Sequence, residues 1–245
     1  MRLTHLCLII ILAFLSCAVR QNLAALEPDA EFERAMSFYN ARKYNQAIEA
    51  FQRILFYHAS SEYVDDAQYW LGRTYLEQKQ YDQAIIEFDY LIKNFPNSTQ
   101  QEDAFFFQAK AYLHNAPSYE KDLTELDKAV RLFDEFLTRF PNSEYTDSVR
   151  AEILIARDRL AKKELENGKL YAKLNDLDAA LLYFRYVINN YSETPSASEA
   201  KYRSAEIYEK KGQDEQALEL YKELLQDAIW QDRAAQCISD LGKGS

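Results

Sequence analysis

Apolar residues return along the chain at three- and four-residue intervals. One triplet of a small, an aromatic and an aliphatic residue recurs five times: Ala47/Phe51/Ile54, Ala84/Phe88/Leu91, Ala129/Phe133/Phe136, Ala180/Phe184/Val187 and Ala217/Tyr221/Leu224. Positions i, i+4 and i+7 share one face of a 3.6-residue helix, so each triplet predicts an amphipathic helix with a buried stripe. A second pattern precedes the first. Asp29-Ala30-x-Phe32, Asp66-Ala67-x-Tyr69 and Asp103-Ala104-x-Phe106 recur at an interval of 37 residues, and Glu199-Ala200-x-Tyr202 echoes them. Six residues after each acid stands a small residue (Ala35, Gly72, Ala109, Ala205), and three further on an aromatic one (Phe38, Tyr75, Tyr112, Tyr208). These segments predict the first helices of hairpins whose second helices carry the triplets. The small residue lets two backbones approach and the aromatic fills the groove to the next hairpin, so no hairpin completes its core alone. The expected fold is an all-α, right-handed α-solenoid of five helical hairpins.

Punctuation divides the array. Pro96 and Pro141 are expected to stop the second helices of repeats two and three, and Ser98 and Ser143 to cap the helices after them. Repeat three carries an insertion at about 115–127, with Pro117 as a helix breaker. From Ser143 to Asn175 there is no Pro and a single Gly, Gly168, which predicts a first helix of repeat four that begins well before the repeat requires it. Gly72 and Gly168 fall at the close-contact position, Gly212 at a turn, and Gly242 and Gly244 in an expected frayed tail. The expected divisions are repeats 1–3 over 29–143, repeats 4–5 over 144–228, and a C-terminal helix and tail over 229–245.

Composition narrows the function classes. Five Gly and five Pro in 245 residues are too few for multi-stranded β folds or phosphate-cradling loops. Hydrophobic residues at 48% and charged residues at 28% fit a globular chain, and 18 Tyr with 14 Phe assign much of the packing to aromatics. A formal charge of −10 without a basic cluster argues against a nucleic-acid partner.

The first residues form an address. Arg2 precedes an apolar run from Leu6 to Leu15, too short for the roughly 20 residues that cross a bilayer, so residues 1–16 read as a secretory signal peptide. Cleavage has two readings. Phe14-Leu15-Ser16-Cys17 resembles the lipobox of bacterial lipoproteins, with Phe14 where Leu is usual; Ser16-Cys17-Ala18 also fits an ordinary small-x-small site that would release a soluble protein. The first leaves 17–28 as a lipidated linker, with a diacylglyceryl group on the Cys17 thiol and an acyl group on the new amino terminus. Ala18 stands where many inner-membrane lipoproteins have Asp, which by resemblance points to the outer membrane. Cys237 is then the remaining thiol, expected to be buried and inert on a helix face.

No residue constellation predicts an enzyme, a metal or another cofactor. His58 and His114 stand alone, and acidic pairs such as Asp65-Asp66 fall at helix starts, where they complement the helix dipole.

Leu71-Gly72-x2-Tyr75, Ala84-x3-Phe88 and Pro96 follow the tetratricopeptide consensus, with Gln68 in place of its leading Trp. Together with the signal segment and the lengthened fourth repeat, two runs resemble the BamD family of the outer-membrane β-barrel assembly machinery. They are Phe140-Pro141-Asn142-Ser143-Glu144-Tyr145 and Asp158-Arg159-Leu160-Ala161-Lys162-x-Glu164, and Ser118-Tyr119-x2-Asp122-x-Thr124 is similar to the family's third-repeat loop. The resemblance implies a non-catalytic lipoprotein anchored in the outer membrane and facing the periplasm of a Gram-negative bacterium. It implies unfolded outer-membrane proteins as partners of the N-terminal repeats. A BamA-like barrel-forming subunit would be the partner of the C-terminal repeats, alongside other assembly lipoproteins. In such superhelices the first helices line the concave side, here with Phe32, Met36, Tyr39, Tyr69, Arg73, Leu76, Phe106, Lys110 and Leu113. Arg73 and Lys110 are candidates for the positive end of a peptide groove, or else solvated surface cations. Arg159 is a candidate for setting the partner docking, or else a surface ion pair with Asp158 or Glu164. Another periplasmic repeat scaffold, such as a Tol-Pal and cell-division coordinator or a soluble chaperone, fits the repeats as well.

Overall fold

The computed structural model describes residues 26–117 and 123–244. The expected signal peptide, Cys17, most of the expected linker and residues 118–122 of the expected insertion lie outside the described residues. Among the described residues eleven helices follow one another: α1 (Pro28–Asn40), α2 (Tyr44–Tyr57), α3 (Val64–Glu77), α4 (Tyr81–Asn94), α5 (Gln101–Asn115) and α6 (Thr124–Arg139), then α7 (Thr146–Lys173), α8 (Leu177–Asn190), α9 (Pro195–Lys210), α10 (Asp214–Leu224) and α11 (Gln231–Gly244). Each packs on the next, giving five hairpins and a closing helix. The first helices of successive hairpins also meet, α3 with α5, α5 with α7 and α7 with α9, which places them on the inner side of the curve.

All fifteen residues of the five triplets are buried, at 0% exposure except Leu224 at 1%. Opposite their aromatics sit the small residues of the first helices. A Cβ on Gly72 would stand 2.8 Å from the Phe88 ring, and one on Gly168 only 2.5 Å from the Phe184 ring. Glycine is needed there because each ring lies on the backbone itself. Gln68, at the consensus Trp position, is buried and donates its amide to the Glu87 carboxylate across the second hairpin.

Four of the five hairpins turn in the same way, and only one turn was legible from glycine. Arg42, Lys79, Asn175 and Gly212 have φ of 57°, 60°, 60° and 69°. In each turn the residue after it donates its N–H five residues back: Lys43 to Phe38, Gln80 to Tyr75, Asp176 to Tyr171 and Gln213 to Tyr208, all within 2.9–3.0 Å. This is the Schellman closure of a helix end, and the repeated aromatic supplies its acceptor carbonyl. In the third hairpin the chain leaves α5 in extended conformation at Ala116 instead.

Pro96 and Pro141 follow α4 and α6 as expected, but Ser98 and Ser143 are not caps. Their hydroxyls accept from the N–H of Gln100 and Tyr145, at 3.2 and 3.0 Å, which closes a turn one step before each helix because the helix starts later than the serine. Two further expectations change. Helix α6 begins at Thr124, inside the expected insertion, and Gly242 lies within α11 rather than in a frayed tail, since α11 continues to Gly244. Helix α7 has the extra length expected of repeat four: 28 residues, about 42 Å at 1.5 Å per residue. Its first part packs on α6, and its last part pairs with α8 and meets α9.

Candidate binding surface

The inner faces of α1, α3 and α5 hold the nine groove residues, but at different depths. Tyr69, Phe106 and Leu113 are only 3%, 4% and 3% exposed. They support the wall from beneath and do not line it, because each points toward a neighbouring hairpin that completes its packing. Phe106 stacks on Tyr145 at the start of α7, with ring centroids 4.4 Å apart. Phe32, Met36, Tyr39 and Leu76 are half-buried and keep part of their surface open. Phe32 packs on Tyr63 at 5.4 Å and Tyr39 meets Trp70 edge-on at 5.0 Å.

Neither cation is a freely solvated surface group. The Arg73 guanidinium lies 3.7 Å over the Phe107 ring of α5, and its Nη1 donates to Tyr69 Oη at 2.9 Å. Glu77 is a looser partner at 3.9 Å. Tyr69 Oη in turn donates to Asp103 at 3.4 Å. Burial pushes the Tyr69 phenol up to about 12, against the pull of Arg73 and with the help of Asp103. Tyr145 also bonds to Asp103, so this one carboxylate joins α3, α5 and the start of α7. Lys110 pairs with Glu152 of α7 at 3.2 Å and lies 5.4 Å from the Phe106 ring. Trp70, Phe107 and Glu152, which sequence reasoning did not single out, and Asp103, which it read only as the acid of the repeat motif, therefore belong to this surface. Phe107 sits beside the Phe106 of the repeat signature, and that adjacency was the available signal.

Arg159 is not part of a surface ion pair. Its Nη1 donates to the Leu113 carbonyl at 2.9 Å, and its Nη2 to the carbonyls of Ala116 and Pro117 at 2.9 and 2.8 Å. A planar fork of donors thus closes the C-terminal end of α5, where carbonyls lack intrahelical partners. Its two neighbours on α7 reach the other way. Asp158 accepts from Ser196 N–H at 2.9 Å, at the start of α9, and Arg157 holds Glu193 and the Asn190 carbonyl. Three consecutive side chains bind repeat three to repeats four and five.

Among the described residues no helix is long and apolar enough to cross a membrane. Residues 25–224 match the family described as YfiO, outer membrane lipoprotein. The chain belongs to that family. Two YfiO-like relatives carry the name outer membrane protein assembly factor BamD. The one from Rickettsia prowazekii is 38% identical over 76 residues, 31% of this chain and 30% of the relative. The one from Caulobacter vibrioides is 32% identical over 97 residues, 40% of this chain and 32% of the relative. The matched segments span about a third of the length of these curated relatives. In fold, this YfiO-family chain is similar to a TPR repeats protein from Bacteroides fragilis, at 13% identity and a TM-score of 0.50, over 89% of this chain and 99% of that one.

Proposed function

We propose that the chain is a non-catalytic, lipid-anchored factor that aids the assembly of β-barrel proteins into the outer membrane. Cys17 carries the diacylglyceryl and acyl chains, and the array hangs from the membrane into the periplasm. Repeats 1–3, residues 29–143, receive segments of unfolded outer-membrane proteins. Repeats 4–5, residues 144–228, dock on a BamA-like barrel-forming subunit together with other assembly lipoproteins.

The observation that carries the reading is the exchangeable charge on an aromatic inner wall. Arg73 is fixed by Phe107 and Tyr69 but only loosely paired with Glu77, whose side chain is 42% exposed. A peptide ending in an aromatic residue and a carboxylate replaces Glu77 at the guanidinium and rests its ring on the half-buried Tyr39 and Leu76. Arg73 and Lys110 are thus the positive end of the groove. Photo-crosslinkers placed at Met36, Leu76 and Lys110 are expected to capture a barrel-protein C-terminal peptide; labelling confined to repeats 4 and 5 overturns this assignment. Mass spectrometry of the mature amino terminus is expected to find a triacylated Cys17, and an unmodified terminus removes the anchor.

A further inference from the structure

The inner face is closed in one half of the array and open in the other. In α3, the residue after Gly72 is Arg73, and Phe107 from α5 fills the space in front of it. In α7, the residue after Gly168 is Lys169, and the residue of α9 at the place of Phe107 is Arg203. Two cations cannot stack on one another, so each turns to Glu199, at 3.0 and 3.5 Å, with Glu166 and Glu206 as second partners at 2.8 and 3.0 Å. The space in front stays open as a pocket of about 370 Å³.

Ala172, Leu177, Phe184 and Ile207 line it, and its open apolar surface is that of the half-buried Ala172 and Leu177 over the buried Phe184 and Ile207. Two more cations line it, Lys173 and Lys210, both exposed. Lys173 has no ion-pair partner among the described residues, and Lys210 bonds to the neutral Asn175 amide oxygen at 2.8 Å. Two uncompensated positive charges therefore border an apolar hollow, in a chain whose net charge is −10.

We propose that this pocket is a second peptide site, which takes an acidic residue adjoining a large apolar one on a partner protein. The apolar side chain covers the half-buried Ala172 and Leu177 while the carboxylate meets Lys173 and Lys210. A bare phosphate or lipid headgroup would use the charges and leave the apolar surface wet, so a peptide with both characters is the better complement. The site deepens the docking role proposed for repeats 4–5, on which its partner rests, by naming the chemistry it takes, and it shares no residue with the Arg73 groove.

The test uses the full chain purified in detergent and a fluorescently labelled peptide, Gly-Ser-Asp-Phe-Glu-Leu-Asp-Gly-Ser, followed by anisotropy. Saturable binding is expected. It should weaken about tenfold when Asp and Glu are replaced by Asn and Gln, and by a similar factor in the K173E/K210E variant, the scale of two exposed ion pairs. Circular dichroism checks that the variant remains folded. Equal binding of the acidic and amide peptides overturns the proposal, as does full affinity in K173E/K210E. Displacement of the peptide by equimolar inorganic phosphate, or by phosphatidylglycerol vesicles, overturns it in favour of an anion or membrane site. Selective peptide binding in a chain that fails to support barrel assembly sustains this inference and removes only the reading of function above.

Discussion

Arg159→Ala is expected to loosen the junction between repeat three and helix α7. The guanidinium makes three hydrogen bonds to main-chain carbonyls of 2.8–2.9 Å, two of them on residues only 3% and 8% exposed, Leu113 and Ala116. A hydrogen bond to a charged group contributes about 1.5–3 kcal/mol, and a buried acceptor left alone costs about as much. Water can reach the Pro117 side of the site, so the loss corresponds to one or two such bonds, about 2–4 kcal/mol. A surface ion pair with Asp158 or Glu164 would contribute only about 0.3–0.5 kcal/mol. The two cases are separable by urea unfolding read by tryptophan fluorescence. Trp70 lies in α3 and Trp230 precedes α11, so a W230F background reports the N-terminal half alone. Amide hydrogen exchange at 113–116 should accelerate in the same variant. Arg159→Lys should recover less than half of the loss, because a single ammonium cannot span three carbonyls as a planar fork does. A change below about 0.5 kcal/mol in Arg159→Ala, or full recovery by Lys, would refute this account.

Gly168→Ala should destabilise by about 1–3 kcal/mol through overpacking against Phe184, seen as a lower urea midpoint. Gly212→Ala should cost only about 1 kcal/mol, because nothing lies within 4 Å of a Cβ there and the strain is that of the left-handed backbone alone. Alkali should destabilise the array: the phenols of Tyr69 and Tyr202 are both pushed up to about 12, chiefly by burial. A raised phenol favours folding below its unfolded value near 10, and that contribution is lost as pH rises through 12. Tyr69→Phe should therefore flatten the fall in stability between pH 10 and 12, and an unchanged slope would remove Tyr69 from the cause.

The hairpins were legible because their signal is local and repeated. A triplet at i, i+4 and i+7 needs only helical geometry to become one face, and all fifteen such residues are buried in the structure. The long α7 was legible for the same reason, through the absence of breakers. The depth of the groove residues was not. Tyr69 and Leu76 occupy related places on one helix, yet Tyr69 is sealed by α5 while Leu76 stays partly open. The role of Arg159 also lay beyond sequence, because its acceptors are carbonyls 42–46 residues away that carry no side-chain signature. The turns at Arg42, Lys79 and Asn175 have left-handed backbone without glycine, imposed by the Schellman bonds of the helix ends they close. By itself the sequence determined the repeating unit, its period and the residues each unit buries, since these follow from helix periodicity within a hairpin. Tertiary structure alone decided which inner positions remain open and where each cation finds its partner. Those outcomes depend on what the neighbouring hairpin presents: Phe107 in front of Arg73 closes one space, and Arg203 in front of Lys169 leaves the other open.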